Sequence, residues 1–130
     1  MKVDIADGYA RIAEWINVNA SGQPPLGRIG HTMDYLKLSN SLIIVGGRND
    51  SLCSKGQFPF LGDIYLYSFD SSSWIKINSS SESDRFSRLF NHCMAVIRIG
   101  DDSEKVLVFG GLATKHTKTK SFYASQAAPM

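Results

Sequence analysis

The chain repeats itself, and this limits its possible folds more than any other feature. Trp15-Ile16-Asn17-Val18-Asn19 returns as Trp74-Ile75-Lys76-Ile77-Asn78, and Asp4-Ile5 stands 11 residues before its tryptophan just as Asp63-Ile64 does. Both matches are offset by 59 residues. Gly30-His31 answers Asn91-His92 at an offset of 61, and Leu42-Ile43-Ile44-Val45-Gly46-Gly47 answers Val106-Leu107-Val108-Phe109-Gly110-Gly111 at 64. The offset grows in the loops, between Trp74 and His92 and again in the turn at residues 100–104, while the elements keep their pattern. Such drift marks a tandem supersecondary unit, which cannot bury its apolar faces alone and needs stacked neighbours. With 130 residues there is room for one ordinary domain, and 43% hydrophobic residues are enough for a packed core.

Within one unit the segments are short, apolar and rich in aromatic and β-branched residues, with turn residues between them, which predicts strands. We read four: a at His31–Leu38, b at Ser41–Gly46, c at Asp63–Phe69 and d at Trp74–Ile77. Strands b and c are nearly continuous in apolar residues, as expected where both faces of a sheet are covered by neighbouring sheets. Ile5, Tyr9, Ile12 and Ile16 are spaced as on a helix, but Gly8 and the match to the second copy favour an irregular strand there. The glycine pair closing each strand b permits positive φ and lets another backbone or a ring lie where a Cβ would obstruct it. Asn91 in place of Gly30 fits a left-handed backbone, because asparagine tolerates that region better than other side chains.

Taken together, Trp15, Gly22-Gln23-Pro24-Pro25, Arg28-Ile29-Gly30-His31, Ile43-Ile44-Val45-Gly46-Gly47, Asp63-Ile64-Tyr65-Leu66-Tyr67-Ser68-Phe69-Asp70 and Trp74 resemble the kelch repeat over residues 4–111. The resemblance implies an all-β fold of kelch-type β-propeller blades, four strands each, with the diglycine after the second strand and the tryptophan on the fourth. It also implies that Arg28 and His31 hold blade to blade. The domain plan is a repeat segment over 1–114, with a c-d half-blade, one full blade over 28–78 and an a-b half-blade, followed by a flexible tail over 115–130. That is about two blades' worth of strands, an incomplete ring, since propellers close with roughly four to eight blades. Because the segment opens on c-d and closes on a-b, homo- or hetero-oligomers joining one copy's a-b to another's c-d would complete it.

Formal charge is +2, but Lys115, Lys118 and Lys120 lie in the last stretch, and residues 1–114 hold eleven cations against twelve acids. A body so balanced lacks the phosphate contacts that nucleic-acid affinity needs. No aliphatic run approaches the roughly 20 residues of a membrane span, and the acidic opening Met1–Asp7 is unlike a secretory signal. Two cysteines, Cys53 and Cys93, suit free thiols, and a cytoplasmic location follows as the expectation. Neither cofactor nor metal is called for: nucleophile, phosphate-loop and metal-binding motifs are absent. The expected function is a non-catalytic protein–protein interaction module, a scaffold or adaptor part of a larger assembly. The resemblance keeps one alternative, a fragment of a propeller enzyme of the copper-oxidase type.

In an up-and-down blade the b-c and d-a loops share one rim, and here these are the long ones. Long loops on a rigid scaffold collect binding residues. The candidate partner-binding residues are therefore Arg48, Asn49, Asp50, Phe58 and Phe60 from the b-c loop, with Arg85 and Arg88 from the following loop. Aromatic and arginine side chains are the usual anchors of protein interfaces. The competing reading is that residues 58–61 simply fold back as loop packing.

Overall fold

A computed structural model describes residues 2–6, 8–77 and 88–113. It is mostly β, in antiparallel sheets. Strands β1 (Lys2–Ala6) and β2 (Tyr9–Glu14) form a hairpin; β3 (Thr32–Leu36), β4 (Ser41–Val45), β5 (Ile64–Ser68) and β6 (Ser73–Ile77) form a meander in chain order. Then β7 (Leu89–Phe90) pairs β10 (Leu112–Ala113), and β8 (Cys93–Ile99) pairs β9 (Ser103–Phe109). Among the described residues no helix is long and apolar enough to cross a membrane.

The four strands a to d are thus β3 to β6. The first unit departs from the repeat. Carried back by 59 residues, strands c and d would fall over 4–10 and 15–18, but the chain reverses earlier, at Gly8 with φ of +79°, and β2 ends before Trp15. Trp15 is 85% exposed, whereas Trp74 packs on Tyr67 with ring centroids 5.0 Å apart. A left-handed glycine after only five paired residues makes the tight turn, and a bulge between Asp4 and Ile5 absorbs the register change.

Strand register sorts the four-stranded sheet into two faces. Leu36, Ile43, Val45 and Leu66 lie on one and join Val106, Val108 and Leu89 in the buried core, with Met94 and Val96 packed against it. The hairpin β8–β9 therefore lies on this face, and β3 is the strand that meets β8. Each such side chain, once buried, contributes about 1.5–3 kcal/mol. Met33, Tyr35, Leu42, Ile44, Tyr65 and Tyr67 share the opposite face.

Short turns sit at one end of this sheet. Asn40 and Ser72 take φ of +44° and +49°, and Asn40 Nδ2 donates to Asp70 Oδ1 at 2.5 Å, tying the a-b and c-d turns together. At the sheet's outer margin Ser21 N donates to Ser72 O at 3.0 Å and Trp74 N donates to Ser21 O at 2.9 Å, a short parallel pairing. Gly22, at φ +78°, follows where any Cβ would collide with the Trp74 carbonyl.

The repeat is visible in the backbone around each glycine pair. Ile29 bridges Arg48, and 61 and 64 residues on Phe90 pairs Leu112. Gly30 and Asn91 take φ of +61° and +55°, the left-handed values expected of them. Gly46 and Gly47 take +62° and +106°; Gly47 N donates to Leu89 O at 2.7 Å, so the following unit's backbone does run against the diglycine.

Candidate functional site

The long loops gather at the end of the sheet opposite the tight turns. Asn49, extended, caps a 3-10 helix over Asp50–Lys55: its side-chain oxygen accepts from Ser51 N at 3.0 Å and Ser51 Oγ at 2.6 Å, and Gly56 closes the helix at φ +68°. The rest of the loop is pinned by Asn49 N to Pro59 O at 2.9 Å and Leu61 N to Gly47 O at 2.8 Å. Asn49 Nδ2 also donates to Gly27 O at 2.7 Å, fastening this loop to the one before β3.

Between these loops lies an open cleft of about 430 Å³. Its apolar wall is Leu26, Leu52, Phe58, Phe60 and Leu61, and Gln57, Asp63 and Arg88 supply polar groups. Phe58 meets Phe60 edge to face at 5.2 Å, and Phe60 lies 5.3 Å from Phe90 of the following unit. Arg48 stands over both Phe60 and Phe90 at 5.7 and 5.6 Å, and Arg88 stands over Phe58 at 5.7 Å. Such guanidinium–ring contacts contribute about 0.5–1 kcal/mol at exposed sites and hold the rings in place.

Of the seven sequence candidates, Phe58, Phe60 and Arg88 line the cleft. Arg48 buttresses its rings and pairs with Asp50. Asn49 acts as a cap and loop tie. Arg85 lies outside the described residues. Within residues 58–61, Phe60 is stacked inward, while Phe58 remains 48% exposed. Leu26 and Leu52 are not among the sequence candidates. Asn49 before Asp50-Ser51, with Gly56 after, is the local signal that would place Leu52 on a helical turn.

The contacts of Arg28 among the described residues fall within its own unit. Its guanidinium donates to Gly46 O at 2.9 Å and to both oxygens of Asp63, at 2.5 and 3.3 Å, and stands over Tyr65, all within its own sheet. The Arg28 side chain is 3% exposed and Asp63 is partly so, which makes this a tie from the loop before β3 to the start of β5. The Asp63 carboxylate at the cleft floor is thereby engaged. His92 does cross between units: its Nε2 lies 2.7 Å from Thr32 Oγ1. Burial pushes the His92 imidazole below its ordinary value, the charge of His31 adds to this, and the Val45 backbone only partly opposes them. His31 itself is exposed.

Cys53 and Cys93 are free and exposed. Among the described residues no three His, Cys, Asp or Glu side chains gather into a set that would hold a metal ion. No protein-family model matches the chain, and no curated protein matches it.

Proposed function

We propose that the chain is a non-catalytic protein-binding module in which the sheet β3–β6 is one kelch-type propeller blade and the cleft beside Phe58 receives a protein partner. The observation that carries this reading is the pairing of a half-exposed aromatic with an arginine over its face, Phe58 with Arg88, at the mouth of an apolar cleft. Anchors of this type carry most of the energy of a protein interface, because they bury large area without losing many rotamers. Chemistry at this rim has little to work with. The cleft's carboxylate is held by Arg28, and the buried imidazole of His92 faces Thr32 between the units. The two free thiols support a reducing, cytoplasmic setting.

A photo-crosslinker at position 58 of the full chain, used in extract of the source cells, tests the reading. A discrete protein adduct that disappears with Arg88→Glu is expected. Absence of any adduct, or stoichiometric copper in the purified chain together with oxidase turnover, would overturn it in favour of the enzyme alternative.

A further inference from the structure

The four-stranded sheet and the hairpin β8–β9 meet through opposite faces of equivalent strands. The offsets of 61 and 64 residues carry Leu36, Ile43 and Val45 to Ile97, Leu107 and Phe109, and carry Met33, Leu42 and Ile44 to Met94, Val106 and Val108. Leu36, Ile43 and Val45 form the covered face of the sheet, and Met94, Val106 and Val108 form the hairpin face that covers it. The two faces left over are the other halves of the same contact. The exposure of the hairpin's Phe109 face matches an unmade contact: Val45 is 1% exposed and Phe109 67%, Leu36 7% and Ile97 41%. On the sheet's other face Met33 is 56% and Tyr35 44% exposed, whereas Met94 is half-buried; deeper on that face Ile44 (7%) and Tyr65 (5%) are already covered within the chain.

The polar and steric details repeat in the same sense. The internal contact sets Thr32 against His92. The 61-residue offset carries Thr32 to Cys93 and His31 to His92, so repeating the contact sets Cys93 against His31, and both are exposed. Within the chain, a Cβ on Gly30 would meet Asn91 Oδ1 at 2.5 Å and the Phe90 ring at 2.6 Å. In the repeated contact Asn91 takes the place of Gly30 and faces Gly30 and Ile29 of the next copy. No side chain then replaces Asn91 and a smaller one replaces Phe90, which leaves room for the asparagine Cβ. Gly110, at φ +72° with no described residue within 4 Å of where its Cβ would stand, is likewise the counterpart of Gly46, which lies against Leu89.

We propose that a second copy of this chain docks head to tail, seating the Met33 face of its four-stranded sheet on the Phe109 face of β8–β9. The surface is separate from the cleft at Phe58. Because the two faces differ, each docked copy presents the same pair again, and the contact builds rings or open chains instead of stopping at a symmetric dimer.

Sedimentation equilibrium of the full chain across protein concentration, read against the 14.3 kDa monomer, tests this. The mass is expected to rise with concentration and to return to the monomer value with Phe109→Asp or Met33→Asp, both at exposed positions. Arg88→Glu at the cleft should leave it unchanged. A gain-of-signal variant keeps the test independent of lost folding: in a Cys53→Ser background, His31→Cys should be captured by the native Cys93 of the next copy on mild oxidation, giving a covalent ladder that Cys93→Ser abolishes. A monomer mass at every concentration, multimers that persist in both aspartate variants, or a ladder that does not need Cys93 would overturn the proposal.

Discussion

Gly46-Gly47 and Gly110-Gly111 close equivalent strands with the same left-handed backbone, yet the leading glycine is enclosed only in the first pair. A Cβ at Gly46 would meet the Leu89 carbonyl and the His92 ring, while among the described residues nothing lies within 4 Å of a Cβ placed at Gly110. The second glycine of each pair, by contrast, is crowded in both copies by its own unit: Gly47 by His31 and Ile29, Gly111 by His92 and Phe90. The difference separates two reasons for a glycine that the sequence presents as one. The second position serves the unit's own corner. The first serves the approach of whatever follows, and of the two units that carry a glycine pair only the one with Gly46 has a follower among the described residues.

Substituting the two first-position glycines gives the largest expected effect. Gly46→Ala and Gly110→Ala share a left-handed strain of about 1–2 kcal/mol. Only at Gly46 would the added carbon meet Leu89 O, at 2.5 Å, and force the two units apart, for about 1–3 kcal/mol more. Urea midpoints of dilute samples should therefore fall clearly further for Gly46→Ala. Equal losses would break the distinction.

The paired histidines give an intermediate effect that depends on pH. His92, held below its ordinary value in the folded chain, takes up its proton more readily once unfolded. The unfolded state therefore binds more protons as pH drops, and the stability present above the ordinary value near 6.5 is lost as pH falls through it. Melting temperature should decline from about pH 7.5 to about pH 5, and His92→Gln should flatten that slope; an unchanged slope would assign it to other groups.

Smallest is the effect at Gly30 and Asn91, which share a backbone conformation and touch one another across the units. Asn91→Gly should change the unfolding free energy from denaturant titration by less than about 0.5 kcal/mol, since relief of positive φ is offset by greater freedom of the unfolded chain. It should also soften the loss caused by Gly30→Ala, because one of the two obstructing groups is then gone. Additivity of the two changes would show that the contact is not felt.

How much of the molecule is legible in its sequence follows from the range of the interactions. Strands b, c and d are set by local composition, and their observed limits differ from the pattern by a residue or so. The left-handed corner at Asn91 follows from what one residue tolerates. The cleft is another matter. Leu26 and Leu52 are 26 positions apart and become neighbours because Asn49 ties its loop to Gly27 and Arg48 pairs with Ile29. The partner of Arg28 is hidden for the same reason: a motif gives its type and place, not the carboxylate of Asp63 that the fold brings to it. Trp15 shows the converse, a matching word of sequence without the strand that gives Trp74 its role.

The pairing of Ser21 with the margin of β6 carries a last consequence. An amide and a carbonyl that a stray extended peptide would seek are already occupied there, which blunts the templating by which open β-margins seed fibrils. Gly22, by letting that clasp lie flush, acts as a guard against misassembly, although it touches neither the cleft nor the core.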